Sequence, residues 1–213
     1  MNTPINSQSS IVNRQSLDPE IALIQHQDIA ALVRGVLNDC PTCFWTMPAS
    51  TTGKHHPAHS LGQGGLVRHT KAVVQLALHL LHMRGILPGT TAHDTVIAAA
   101  ILHDCCKKAD GEQHTAFDHP QRAADLIWQH ATLLACAGEN EARDTAARAI
   151  CSMVSTHMGR WCTSTHHRGI TLPMPSTWQE HLLHTADFLA SRKDILVTLE
   201  PQSGGSGTLE GIS

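Results

Sequence analysis

The segment "VIAAAILHDCCKK", Val96 to Lys108, decides the fold class of this chain. Its first seven residues are apolar without a break, which is typical of a helix that is buried on all sides. His103 and Asp104 follow at once, and a carboxylate is costly to bury without a partner. The segment therefore predicts a central helix that carries a His-Asp pair into the interior, where other groups must compensate it.

The rest of the chain also has the periodicity of helices, because apolar residues recur at a spacing of three and four. Glycine, proline and short polar residues bound these stretches. Thr91 or Asp94 is the expected N-cap of the third helix and Ser176 that of the sixth. No stretch alternates with the period of a strand, so we predict an all-α helical bundle. The predicted helices span residues 18–39, 64–85, 91–106, 119–138, 140–159 and 176–193.

Composition predicts one domain with two polar ends. The 213 residues are 41% hydrophobic, which is enough for one core. Residues 1–17 and 196–213 are rich in small polar residues and lack periodicity. We expect them to be a disordered N-terminal tail and a flexible C-terminal tail around a domain at 18–195.

The charge and the cysteine content limit the binding partners and the cellular compartment that we expect for this chain. The net charge of -3 provides no general attraction to nucleic acid or to a membrane. Seven cysteines behind a polar N-terminus that lacks an apolar signal core predict a cytoplasmic protein with free thiols. The 17 histidines outnumber the 15 lysines and arginines, which favours a metal site.

Six polar residues lie on or beside the apolar faces of the predicted helices. One histidine in such a place is usually a hydrogen-bonded core residue. Two carboxylates among four imidazoles need a cation, however, and a bound metal ion satisfies the whole set at once. We therefore predict a metal site between the helices. Its ligands are His69, His103, Asp104, His119, His157 and Asp187.

The order and spacing of these residues resemble the HD-domain metal-dependent phosphohydrolase superfamily. "HDCCK" has the form of that family's His-Asp-x-x-Lys segment, although Cys105 and Cys106 replace residues that are often small and apolar. "DHPQRAADLI", "STHMGRW" and "HTADFLASRK" are similar to its later ligand segments. The segment "PASTTGKHHPAHSLGQGGLVRHT" is similar to HD subfamilies with exoribonuclease-like and relaxase-associated members. The resemblance extends from about Phe44 to Lys193.

The resemblance implies two metal ions and a phosphoryl substrate. The first ion would be held by His69, His103, Asp104 and Asp187, and the second by His119 and His157 with Asp104 as a bridge. Mn, Fe, Co, Ni or Zn suit such ligands better than Mg alone. The expected catalytic residues are Asp104, which supports a metal-activated hydroxide, and Lys107, which neutralises phosphoryl charge. Further cations that could hold the substrate are Lys54, Arg68, Arg160 and Arg192, with Arg160 favoured.

Several functions fit this resemblance. The first is hydrolysis of a phosphoester or phosphoanhydride bond in a nucleotide. The alternative is an HD-type nuclease or phosphodiesterase acting on single-stranded nucleic acid, or a relaxase-associated accessory of a mobile element. A non-catalytic binding module and a di-iron oxygenase are further readings. No membrane partner is expected, and the oligomeric state is open.

Two loops and two cysteine pairs complete the candidates. His55, His56, His166 and His167 lie in long loops and are expected to be surface imidazoles that could also line the site. Cys40 and Cys43 have the spacing of a zinc knuckle but lack a second pair. Cys105 and Cys106 are expected to pack as small apolar residues.

Overall fold

The computed structural model describes residues 13–50, 53–54, 56–135, 141–165, 169–195 and 197–199. Within these ranges the chain is helical, with no strand beyond one isolated bridge between Thr163 and Thr171, so the all-α prediction is confirmed. Short 3-10 helices span Arg14–Leu17, Thr42–Trp45, Ala58–Ser60 and Gly159–Trp161. The α-helices are α1 (Asp18–Ile21), α2 (Gln27–Asp39), α3 (Gly65–Met83), α4 (Thr91–Leu102), α5 (His119–Ala135), α6 (Glu141–Thr156) and α7 (Trp178–Ala190).

Helix α4 is the centre of the bundle. Every residue from His93 to Leu102 is buried, as the uninterrupted apolar run predicts. The helix packs against α2, α3, α6 and α7, and one apolar cluster includes side chains from all the described α-helices. The chain that leaves α4 at His103 therefore starts in the interior.

Two helix pairs accompany α4. Helix α3 packs on α7, and α5 packs on α6. Both pairs hold a predicted ligand on each member, so their packing decides which ligands meet. None of the helices in the described part of the chain has the length and apolarity that crossing a bilayer requires.

The predicted single helix over residues 18–39 is wrong, because the chain forms α1 and α2 with a break between them. Asp94 in α4 accepts hydrogen bonds from the backbone N–H groups of Gln25 and His26, at 2.8 Å each. A continuous helix would use these two groups internally. The carboxylate of Asp94, which is distant in sequence, therefore interrupts the predicted helix.

The predicted tails are shorter than expected. Leu17 is fully buried at the end of a 3-10 helix, so the predicted disordered segment does not reach residue 17. Val197 and Leu199 pack against the core, and the predicted tail therefore does not begin at residue 196. Residues 1–12, 196 and 200–213 lie outside the described residues.

Both predicted N-caps are displaced by at least one residue. The side chain of Thr90, rather than Thr91 or Asp94, accepts from the N–H of His93. Thr177, rather than Ser176, accepts from the N–H of Glu180 in a capping box. Thr91 and Asp94 already lie inside α4. The hydroxyl of Ser176 is engaged elsewhere, because it donates to Glu180.

Candidate metal centre

The first group of candidate ligands joins α3, the end of α4 and α7. His69 lies in the second turn of α3, and its Nε2 is 2.9 Å from Oδ1 of Asp187 in α7. His103 follows the last residue of α4, and its Nε2 is 3.8 Å from the same oxygen. One ligand atom from each residue lies within 4.8 Å of the others. We call His69, His103 and Asp187 the first triad.

The second group joins the end of α4 to α5 and α6. His119 is the first residue of α5, and His157 follows the last residue of α6. Oδ1 of Asp104 is 3.1 Å from Nε2 of His119 and 3.7 Å from Nε2 of His157. The two Nε2 atoms are 3.3 Å apart. We call Asp104, His119 and His157 the second triad.

Asp104 links the two triads through its two oxygens. While Oδ1 faces the second triad, Oδ2 lies 3.5 Å from Nε2 of His103 and 4.0 Å from Nε2 of His69. Nζ of Lys107 donates to Oδ2 at 2.6 Å. All six predicted ligands therefore lie close together, and Asp104 contacts both triads. That Asp104 bridges two metal ions stays a prediction.

The backbone fixes the tautomer that three imidazoles adopt when they are neutral. Nδ1 of each ring lies 2.7–2.8 Å from the carbonyl oxygen three residues earlier. A carbonyl only accepts, so Nδ1 carries the proton and Nε2 of the neutral ring keeps a lone pair. This orients ligating nitrogens in the way second-shell carbonyls do at metal sites. The pairs are His103 with Ala100, His119 with Ala116, and His157 with Val154.

Unpartnered atoms also fit a metal ion. Within the described part of the chain, Nε2 of His103 and Nδ1 of His69 are buried without a hydrogen-bond partner. A buried polar atom in that state costs about 1–3 kcal/mol. A cation among the Nε2 and carboxylate atoms would satisfy the lone pair of His103. The two triads could therefore hold metal ions, and imidazole with carboxylate suits Mn, Fe, Co, Ni or Zn.

Electrostatics adds to this fit. Burial alone would raise the pKa of Asp104, but the charges of Lys107 and His103 hold it well below its usual range. Burial likewise opposes ionisation of Asp187, whose pKa is nevertheless lowered by the hydrogen bond from His69. Burial lowers the pKa of His157 to about 3, and the neighbouring imidazoles add to this. The site thus combines ionised carboxylates with a neutral ring, which favours a cation.

A cavity of about 430 Å³ opens beside the second triad. This volume falls within the range of small-molecule sites, about 300–1,000 Å³. Besides the second triad, its lining includes Asp187, Lys107 and His56. His56 was expected to be a surface residue, yet burial lowers its pKa to about 4 and its ring lies 5.6 Å from that of His69. His55, His166 and His167 lie outside the described residues.

The predicted substrate cations differ in their positions. Arg68 is engaged elsewhere, because it donates to the carbonyls of His59 and Leu61 at 2.5 and 2.9 Å. It therefore holds the loop before α3 and is a poor substrate ligand. Lys54 is exposed and is not among the described residues that line the cavity. Arg160 stacks against Trp161, and Arg192 lines the cavity.

The start of α3 depends on a glycine. A Cβ atom at Gly65 would lie 2.2 Å from the carbonyl oxygen of Ser60, a distance no side chain tolerates. Gly65 thus lets the loop that Arg68 holds close against the helix, one turn before His69. The two features together seat His69 against α7.

The cysteines are packed away from both triads. The sulfur atoms of Cys105 and Cys106 are buried and lie 3.8 Å apart as free thiols, in line with the packing role expected for them. Cys40 and Cys43 donate to the carbonyls of Leu37 and Lys108 at 3.2 and 3.1 Å. Burial raises the pKa of both thiols, which keeps them protonated. This arrangement does not support a zinc knuckle.

Comparison with protein-family models, with curated proteins and with solved structures finds no match for this chain. The resemblance to the HD-domain superfamily accordingly stays a prediction. The candidate metal centre stands on its geometry alone.

Proposed function

We propose that this chain is a metal-dependent phosphohydrolase that cleaves a phosphoester or phosphoanhydride bond of a nucleotide. One observation carries the proposal. Oδ1 of Asp104 and the Nε2 atoms of His119 and His157 converge to 3.1–3.7 Å, and all three are buried. In the neutral tautomer that the Nδ1–carbonyl hydrogen bonds favour, the three atoms are acceptors, and acceptors that face one another in a low dielectric repel unless a cation lies between them.

When bound, ions in the two triads would polarise phosphoryl oxygens as Lewis acids and supply an activated water at neutral pH. Asp104 contacts one triad with each of its two carboxylate oxygens and so fixes the position of the triads relative to each other. The carbonyls that fix the imidazole protons keep the ligating nitrogens aimed inward, so little reorganisation is needed.

The charges at the cavity favour an anionic substrate. Lys107 lines the cavity with its ammonium group on Asp104, and Arg192 also lines it. Their positive charge supports a phosphoryl group better than it supports oxygen chemistry. The net charge of -3 and the single-nucleotide size of the cavity favour a small nucleotide over a nucleic-acid strand.

Metal analysis and a substrate screen test the proposal. Purified protein should contain a transition metal and should hydrolyse nucleotides or bis(p-nitrophenyl) phosphate with Mn, Co, Ni or Mg. Asp104→Ala and Asp187→Ala should each lose metal and activity. Hydrolysis of single-stranded oligonucleotides in preference to nucleotides would instead favour a nuclease. The proposal fails if both variants keep full metal content and full activity.

A further inference from the structure

The cavity beside the second triad has an aromatic wall. Trp161 and Phe188 both line it, and their rings stack with centroids 5.6 Å apart and planes 24° from parallel. Trp161 is 42% exposed, whereas Trp45 in the core is 6% exposed. An indole with this much exposed surface in the wall of a cavity presents aromatic surface to a flat ligand.

Two arginines flank this pair. Cζ of Arg160 lies 4.5 Å from the centroid of Trp161, and Cζ of Arg192 lies 4.9 Å from that of Phe188. Arg160 is also 5.8 Å from the Phe188 ring, so it lies on the Phe188 side of Trp161. An arginine on the far face would be separated from Phe188 by the thickness of the indole. Arg160 and Phe188 thus share one face of Trp161, and the residue remains 42% exposed.

The aromatic wall is held rigidly to the second triad. The His184 ring donates from Nδ1 to the carbonyl of His157 at 2.7 Å and contacts Trp161, with ring centroids 5.8 Å apart. Gly159 makes this turn possible, since its φ is +54° and a Cβ there would lie 2.3 Å from His184. Trp161 is therefore at a defined distance from a candidate metal ligand.

We propose that Trp161, supported by Phe188, is the stacking surface for the base of a nucleotide whose phosphoryl group lies at the triads. This inference rests on the proposed function and names the part of the substrate that the cavity wall binds. A base stacks on an indole through dispersion, and this contact accepts any base. The neighbouring guanidinium groups lie near enough to meet the phosphate or ribose. A cavity of about 430 Å³ accommodates one such ligand.

Trp128 provides a matched control. It is 38% exposed, and Arg148 lies over its ring at 4.6 Å, so it reproduces the exposure and the cationic neighbour of Trp161. It lies in α5 and is not among the described residues that line the cavity. Substituting Trp128 therefore removes an exposed tryptophan without touching the site.

The kinetic test compares adenosine 5′-monophosphate with ribose 5-phosphate, which has the same phosphate and sugar but no base. Trp161→Ala should raise KM for the adenosine compound about tenfold and change kcat less than about twofold, because stacking is lost in ground and transition states alike. Ribose 5-phosphate should be unaffected. Trp161→Phe should recover part of the loss, and Trp128→Ala should match the wild type. An equal effect of Trp161→Ala on both compounds, or no effect on either, overturns the inference.

A binding test separates this inference from the proposed function. Adenosine 5′-monophosphate should quench tryptophan fluorescence of the wild type and of Trp128→Ala, and should bind Trp161→Ala about tenfold more weakly by calorimetry. If no phosphate ester is hydrolysed but this pattern holds, the proposed function fails and the stacking surface stands. If hydrolysis occurs and Trp161→Ala binds the nucleotide as the wild type does, the stacking surface is wrong. Wild-type protein that fails to bind the nucleotide at millimolar concentration also overturns it.

Discussion

Helix α4 carries a His-Asp pair at each end, and the two pairs do opposite things. His93 and Asp94 lie in its first turn, while His103 and Asp104 follow its last residue. All four side chains are buried. The dipeptide is the same, so the difference between the two pairs comes entirely from what surrounds them.

Asp94 is fully satisfied by protein donors. Its oxygens accept from the N–H groups of Gln25 and His26 and from Nδ1 of His26 and His93, at 2.7–2.8 Å. Burial would raise its pKa, but the hydrogen bonds from His93 and His26 lower it instead. A carboxylate is also favoured at the N-terminus of a helix, where the macrodipole is positive. This pair ties α4 to the α1–α2 break.

Asp104 is in the reverse situation. It lies beyond the C-terminus of α4, where the macrodipole disfavours negative charge. Lys107 donates a full charge to it, and in their neutral tautomers His119 and His157 present lone pairs to it. A His-Asp pair is thus a structural tie where donors converge on it and a candidate cation site where acceptors do.

The sharpest way to break this comparison is Asp104→Asn. We expect loss of bound metal and a fall in hydrolytic rate of at least roughly 10³-fold, because the bridging ligand of both triads is gone. The unfolding free energy of metal-free protein should fall by about 2 kcal/mol, because Lys107 loses a charged partner that folding keeps ionised. Metal content, rate and urea unfolding measure the three effects. A variant that unfolds readily while keeping its metal would reverse the roles assigned to the two ends.

The mirror experiment is Asp94→Ala. It should lower the unfolding free energy by about 4 kcal/mol, because two backbone N–H groups and two imidazoles lose their acceptor. Metal content and rate per folded molecule should stay at wild-type values. Urea unfolding with metal analysis of the folded fraction checks both. Loss of metal without loss of stability would show that this pair also belongs to the metal centre.

Lys107→Gln removes the lysine charge that Asp104 has beside it and Asp94 does not. We expect the variant to lose about 3 kcal/mol of transition-state stabilisation, which lowers kcat roughly 10²-fold, while the metal remains bound. Lys108→Gln is the control on the neighbouring residue and should change the rate less than about twofold, because Lys108 is not among the described residues that line the cavity. Equal losses in the two variants would remove Lys107 from the mechanism.

Glu180 extends the comparison to a third buried acid, at the N-terminus of α7. Burial would raise its pKa, but hydrogen bonds from Ser152, Ser176 and Thr177 lower it to about 2. Its contribution is therefore present above pH 4.5 and is lost as pH falls towards 2. Glu180→Gln should lower the unfolding free energy by about 2 kcal/mol at pH 6 and by progressively less between pH 4.5 and 2. Unfolding curves across that range measure this, and a constant difference would contradict it.

The sequence by itself determined the helices and the six polar positions. Local spacing sets which face of a helix is apolar, so the helical segments and the ligands at their ends were readable without any contact information. His119 opens α5 and Asp187 lies within α7 as predicted. The pattern failed where a distant group intervened, as when Asp94 interrupts the predicted helix at Gln25 and His26.

Only the tertiary structure decided what the polar groups meet. Arg68 and His56 both differ from expectation, because backbone carbonyls of a folded loop engage Arg68, and His56 is half-buried with its ring 5.6 Å from that of His69 in α3. Likewise, no local pattern distinguishes the exposed Trp161 from the buried Trp45. Hydrogen-bond partners and burial depend on residues far apart in sequence. The two His-Asp pairs show this most directly. The pair in the first turn of α4 connects that helix to the α1–α2 break, and the pair after its last residue forms a candidate cation site, because folding surrounds the two pairs with different neighbours.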